Sequence, residues 1–164
     1  MLLNVVFWLF ESYIIWNVHC ISNFWDDLPA DQRNEVLELY KLKNTMPRTE
    51  FYDMCQKWAE KQGVEVMAKY EKFRWDLEQT MKLRDATLRA RLNNTTCGDI
   101  ARKFLTDLLD MERNMSLSDQ MFDQMRQEMQ HRMPKSAYAE AVRVWNSLNP
   151  WENFSSKKSK ISIG

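Results

Sequence analysis

Between residues 51 and 93 apolar side chains recur at steps of three and four. Phe51, Met54, Cys55 and Trp58 stand at i, i+3, i+4 and i+7, which places them on one face of a helix. Gly63 follows, where a chain can leave a helix at the least steric cost. Beyond it neither Gly nor Pro occurs until Gly98, while Val66, Tyr70, Phe73, Leu77, Met81, Leu88 and Leu92 repeat the stripe. The pattern predicts one short helix, a glycine break, and a helix over about 64–93. Such a helix of about 30 residues would be roughly 45 Å long. Its stripe needs cover from other helices. Arg84 interrupts the stripe and charges thicken beyond it, so the distal half is expected to be the less buried one.

The remaining pattern supplies the cover. Residues 23–28 form a lead-in whose Phe24 and Trp25 read as exposed. Pro29 suits the start of a first helix that runs to about Leu42, with Val36, Leu37, Leu39 and Tyr40 as its apolar positions. Asn44-Thr45-Met46-Pro47 marks a break, and the second helix begins near Pro47. A polar loop from Asn93 to Thr96 precedes a fourth helix, with Thr96 as the expected N-cap and Ile100, Phe104, Leu105, Leu108 and Met111 as its apolar face. Ser116 is the expected N-cap of a fifth helix carrying Leu117, Met121, Phe122, Met125 and Met129. Pro134 opens a sixth with Tyr138, Ala141, Val142, Trp145 and Leu148 on one face. The expectation is an all-α fold, five or six helices packed around the long one over residues 23–149. A shift of 70 residues lays Asn44 on Asn114, Tyr52 on Phe122 and Asp53 on Asp123, a faint sign of two similar helix–loop–helix halves.

The two ends differ from this pattern. Residues 1–22 open with an almost unbroken apolar run from Leu2 to Phe10, the length of a secretory signal's hydrophobic region. Ser22 and Cys20 supply small residues for cleavage, although no Lys or Arg precedes the run and Glu11 interrupts it. Glu11, Asn17 and His19 argue against a stable membrane span, which needs about 20 apolar residues. Residues 150–164 read as a disordered basic tail with Lys157, Lys158 and Lys160 among serines.

Composition narrows the function classes. Lys plus Arg and Asp plus Glu number 23 each, so no basic excess points to nucleic acid. Three glycines leave little material for a phosphate-cradling loop, and no nucleotide-binding, nucleophile-elbow or zinc-protease motif is present. A Cys–His dyad would need His131 beside Cys55 or Cys97, and nothing in their spacing supplies that. Asp107, Asp110 and Glu112, or Asp119 and Asp123, read first as solvated helix faces and secondarily as weak divalent-ion ligands. No catalytic residue and no cofactor is expected.

Three observations carry what function can be read. Asn93-Asn94-Thr95, Asn94-Thr95-Thr96, Asn114-Met115-Ser116 and Asn153-Phe154-Ser155 are N-glycosylation sequons that fall in expected breaks or in the tail. With the leader removed, Cys55 and Cys97 remain, and an oxidising compartment would let them pair; two buried thiols acting as small hydrophobes are the alternative. Methionines crowd residues 111–133, as in a core or a surface for varied apolar ligands, and Trp58, Phe73, Met121, Met125 and Trp145 are the expected lining of any apolar groove.

The string FYDMCQKWAEKQGVEVMAKYEKF, preceded by a Leu28-Pro29 helix carrying Arg33 and Glu35, resembles the SXP/RAL family of nematode-restricted secreted proteins, a domain of unknown function. The similarity spans about residues 28–148; Trp58 to Gly63 is its most specific part, and the breaks continue in the same order to MSLSDQ and MPKSAY. The resemblance implies a small, helical, extracellular, antigen-like protein without established catalysis, for which small apolar ligands or a metal ion have been suggested. It supplies no functional motif to transfer. The alternative is an intracellular adaptor that docks a partner helix on the methionine face.

Overall fold

The computed structural model describes residues 23–148; the expected signal segment, the basic tail and Asn153 lie outside them. Six α-helices and no strand are found among the described residues: α1 Ala30–Tyr40, α2 Arg48–Gln62, α3 Val64–Asn94, α4 Asp99–Arg113, α5 Asp119–Arg132 and α6 Lys135–Leu148. The all-α class is as expected. The chain divides into two compact units, with the division between Arg84 and Asp85, inside α3. Each unit has its own apolar core.

Local chemistry sets most helix boundaries. Pro29, Pro47 and Pro134 each immediately precede a helix, and each carbonyl accepts its first bond, from Arg33, Phe51 and Tyr138 N–H at 2.9, 2.9 and 3.0 Å. Proline suits that place because its φ is preset and its missing N–H would have gone unused. Between α2 and α3, Gly63 holds φ 103° and ψ 176°, a region essentially closed to side-chain-bearing residues. A Cβ built there would meet nothing within 4 Å, so substitution is opposed by the backbone alone. Gly63→Ala is expected to destabilise by about 1–3 kcal/mol, read as a shift in the urea midpoint; an unchanged midpoint would show that the turn adapts freely.

Two expected caps are corrected. α4 begins after Gly98, not Thr96, and no side chain caps it; Glu140 of α6 accepts the Gly98 N–H at 3.1 Å instead. α5 is capped by Ser118, not Ser116: the buried Ser118 Oγ accepts the Met121 N–H at 3.1 Å. Leu117 and Phe122 flank this cap and share one buried cluster, the arrangement of a hydrophobic staple. Burial of Leu117 selects the later serine, because starting the helix at Ser116 would carry Leu117 out of that place.

The first unit packs α1, α2 and the beginning of α3. Its core holds Phe24, Leu28, Val36, Phe51, Cys55, Ala59, Val66 and Tyr70. Phe24 is therefore buried rather than exposed. The second unit packs α4 against α5 and α6 and takes in the end of α3 through Leu88 and Leu92. The distal stretch of α3 is thus as buried as its start, against expectation. Met81 and Leu83, near the middle, are the large apolar side chains left exposed in the long helix's second half. Charge does not prevent the burial, since Arg89 stands on the flank and bonds Asp85 at 2.9 Å and Asp110 at 2.9 Å.

Arginines also close helix ends in the second unit. Arg102 donates to the carbonyls of Leu92 and Thr95, both at 2.6 Å, and Arg91 donates to Leu148 O at 2.7 Å. The last carbonyls of a helix lack internal partners and carry partial negative charge, so a guanidinium is well matched to them.

Candidate functional site

The densest chemistry lies in the first unit, where aromatic rings surround one thiol. Phe24 contacts Trp25, Trp58, Tyr70 and Phe73 at centroid separations of 5.2, 6.2, 5.3 and 5.4 Å. Tyr40 packs between Trp25, tilted at 4.3 Å, and Phe51, edge-on at 5.0 Å. Offset and edge-on pairs such as these suit the ring quadrupole. Arg74 lies 3.4 Å over the Tyr52 ring, a cation–π contact. The Tyr70 hydroxyl donates to Tyr52 O at 2.8 Å, and Trp58 Nε1 donates to Glu35 Oε2 at 2.8 Å. Tyr70 and Trp58 are thus packed on their apolar sides and satisfied at their tips.

Cys55 is fully buried within this cluster. Burial pushes its thiol from 9.0 up to about 11, only partly offset by the Arg74 charge. Burial likewise raises the Tyr40 and Tyr70 hydroxyls, with the neighbouring thiol adding to both shifts. Near neutral pH all three groups hold their protons. A protonated, covered thiol is a poor nucleophile; the cluster's chemistry at that pH is packing.

The same shifts predict alkaline sensitivity. A thiol whose folded pKa lies above its unfolded value stabilises the fold fully below pH 9.0, and that stabilisation is lost as pH rises toward about 11. For Cys55 the loss is on the order of 2–3 kcal/mol, and Tyr40 and Tyr70 add to it with the same sign. Urea midpoints from about pH 8 to about pH 11 should fall steeply, and Cys55→Ala should flatten the slope. A midpoint constant across that range would refute the assignment.

The other expected site residues are distributed as follows. Trp58 and Phe73 belong to the first unit and pack against its core. Trp145 is buried in the second unit's core, while Met121 and Met125 of α5 are 44% and 40% exposed. The five do not line one groove within either unit. The reason is that α5 turns Phe122 inward and leaves Met121 and Met125 on its outer flank. Cys55 and Cys97 are free thiols, the first in the core of one unit and the second packed against the core of the other.

Asn93 and Asn94 are exposed in the last turn of α3, not in a loop. Asn114 is exposed and terminates α4 in extended conformation, φ −74° and ψ 103°. Its Oδ1 accepts the Ser116 N–H at 3.0 Å. Among the described residues no three His, Cys, Asp or Glu side chains gather as a metal-binding group, and no helix is long and apolar enough to cross a membrane. Sequence reasoning missed Phe24 as the hub of the ring cluster; the aromatic pair Phe24–Trp25 just before the first helix was the available signal.

Comparison with protein-family models, with characterised proteins and with solved structures found no match.

Proposed function

We propose that this chain is an extracellular, non-enzymatic helical protein of the SXP/RAL kind, antigen-like, exported by residues 1–22 and glycosylated on asparagine. One observation carries the reading: Asn93, Asn94 and Asn114, the sequon asparagines among the described residues, are all exposed at helix ends. A glycan is bulky and hydrophilic, so a chain that carries one must present the asparagine to solvent. The WAEKQG segment, Trp58–Gly63, the most specific part of the family resemblance, forms the end of α2 and its glycine turn.

A second reading rests on α5. Met121 and Met125 stand one helical turn apart on its outer side, and flexible thioethers adapt to varied apolar partners. An intracellular adaptor would use this face to receive a partner helix.

Native and denatured intact masses of the protein from a eukaryotic secretory host separate the two. The extracellular reading expects recovery from the medium, loss of residues 1–22 and a glycan removable by amidase. A mass lost only on denaturation would identify a bound apolar ligand or divalent ion. A full-length, unmodified chain retained in the cells would replace this reading with the adaptor.

A further inference from the structure

Resting on the extracellular reading, we propose that Asn114 is the glycan acceptor among the described sequons, and that Asn93 and Asn94 are poor ones. The donor is a lipid-pyrophosphate-linked oligosaccharide.

The transfer places two demands on a sequon. The asparagine amide and the hydroxyl two residues later must be reached together, and the backbone between them must be free to bend. In an α-helix, residues i and i+2 do not face each other. Asn93 is helical, and the hydroxyl of its sequon is occupied: Thr95 Oγ1 donates to Arg91 O at 2.8 Å. Asn94 is the last helical residue. The middle residue of its sequon, Thr95, is tied on both sides, by its N–H to Leu92 O at 3.2 Å and by Arg102 on its carbonyl at 2.6 Å. Both sequons are therefore held at the closing turn of a helix, with Arg102 on the carbonyls of Leu92 and Thr95.

Asn114-Met115-Ser116 has the opposite geometry. The helix has ended, Asn114 is extended, and the chain bends back so that the Ser116 N–H reaches Asn114 Oδ1. This turn brings positions i and i+2 together, as the helix does not. It also polarises the amide in the useful sense, since a hydrogen bond to Oδ1 acidifies the Nδ2 protons. Two of the bonds that shape the turn join near neighbours: Asn114 N–H to Met111 O at 3.1 Å and Leu117 N–H to Asn114 O at 3.2 Å. A turn made of such near neighbours can form as soon as the chain emerges, well before tertiary packing.

The step balances without a redox partner. Asn114 Nδ2 attacks the anomeric carbon, the carbon–oxygen bond to pyrophosphate breaks, and lipid pyrophosphate leaves with the electron pair. One Nδ2 proton passes to a base of the transferase.

The test uses the full chain with Asn153→Gln, made in a eukaryotic host both with its own amino terminus and behind a cleavable heterologous leader. Enzymatic deglycosylation in heavy-oxygen water marks each formerly occupied asparagine for peptide mapping. In the leader-directed chain, occupancy at Asn114 should exceed that at Asn93 and Asn94 together by about tenfold, equivalent to about 1.4 kcal/mol. Asn114→Asp, which keeps an acceptor for the Ser116 N–H, and Ser116→Ala should each abolish the modification, while Ser116→Thr should retain it. Equal or greater occupancy at Asn93 or Asn94, or an unmodified Asn114 in chain recovered from the medium, would overturn the proposal. If only the leader-directed chain is exported and carries its glycan on Asn114, the acceptor assignment stands and the extracellular reading fails.

Discussion

Replacing Phe24 by alanine should destabilise the first unit by about 3–5 kcal/mol, the range for a buried aromatic truncated in a core. The ring is 7% exposed and contacts Trp25, Trp58, Tyr70 and Phe73. Those partners come from the lead-in, α2 and α3, so alanine would leave a void that no single helix can close. A denaturation midpoint and the near-ultraviolet dichroism of the ring cluster would both report the change. Leu42→Ala is the control; at 43% exposure it should stay within about 0.5 kcal/mol of the parent. A Phe24→Ala chain losing less than about 1 kcal/mol would mean that the lead-in does not pack as described. The position also bears on export. If the chain is exported as proposed, cleavage after Ser22 would keep Phe24, whereas cleavage a few residues later would remove the hub of the core.

The second large effect is expected at Trp145. Alanine there should destabilise the second unit by about 3–5 kcal/mol, lowering Tm on the order of 10 °C. The side chain is 4% exposed within the cluster formed by α3, α4, α5 and α6. Met125→Ala, on the exposed flank of α5, should change stability by no more than about 0.5 kcal/mol. The pair distinguishes a core tryptophan from a groove-lining one. A groove residue would tolerate truncation with little loss of stability, and its removal would alter ligand retention in the native mass spectrum. Similar small losses at both positions would reinstate Trp145 as part of a binding surface.

Helix existence was legible because it rests on local rules. Three-and-four spacing made Ile100, Phe104, Leu105, Leu108 and Met111 one face of α4; the last four are buried, while Ile100 in the first turn is exposed. The glycine at 63 and the prolines at 29, 47 and 134 marked breaks through their own backbone constraints. The candidate site was less legible. Periodicity assigns a residue to a face but does not say which face is covered. Met121, Phe122 and Met125 all looked inward from spacing; only Phe122 is, because α5 lies on the core along one edge. Ser116 and Ser118 are equally good caps by type, and the choice between them followed from burying Leu117.

Taken alone, the amino-acid sequence determines that this protein is all-α, where most of its helices start and stop, and that its surface carries candidate acceptors for glycan. These follow from dihedral preferences, side-chain periodicity and short motifs, which act within a few residues of one another. Tertiary structure alone decided that the long helix serves two cores divided between Arg84 and Asp85, that Phe24 is the centre of one of them, and that Trp145 belongs to the other. It also decided that Cys55 sits as a covered, proton-holding thiol and that Asn114, unlike Asn93, stands where the chain has left its helix. Burial depends on partners distant in the chain. Trp58, Tyr70 and Phe73 cover Phe24 from helices that begin well after it, and the local pair Phe24–Trp25 marks an aromatic position without naming the partners that bury it.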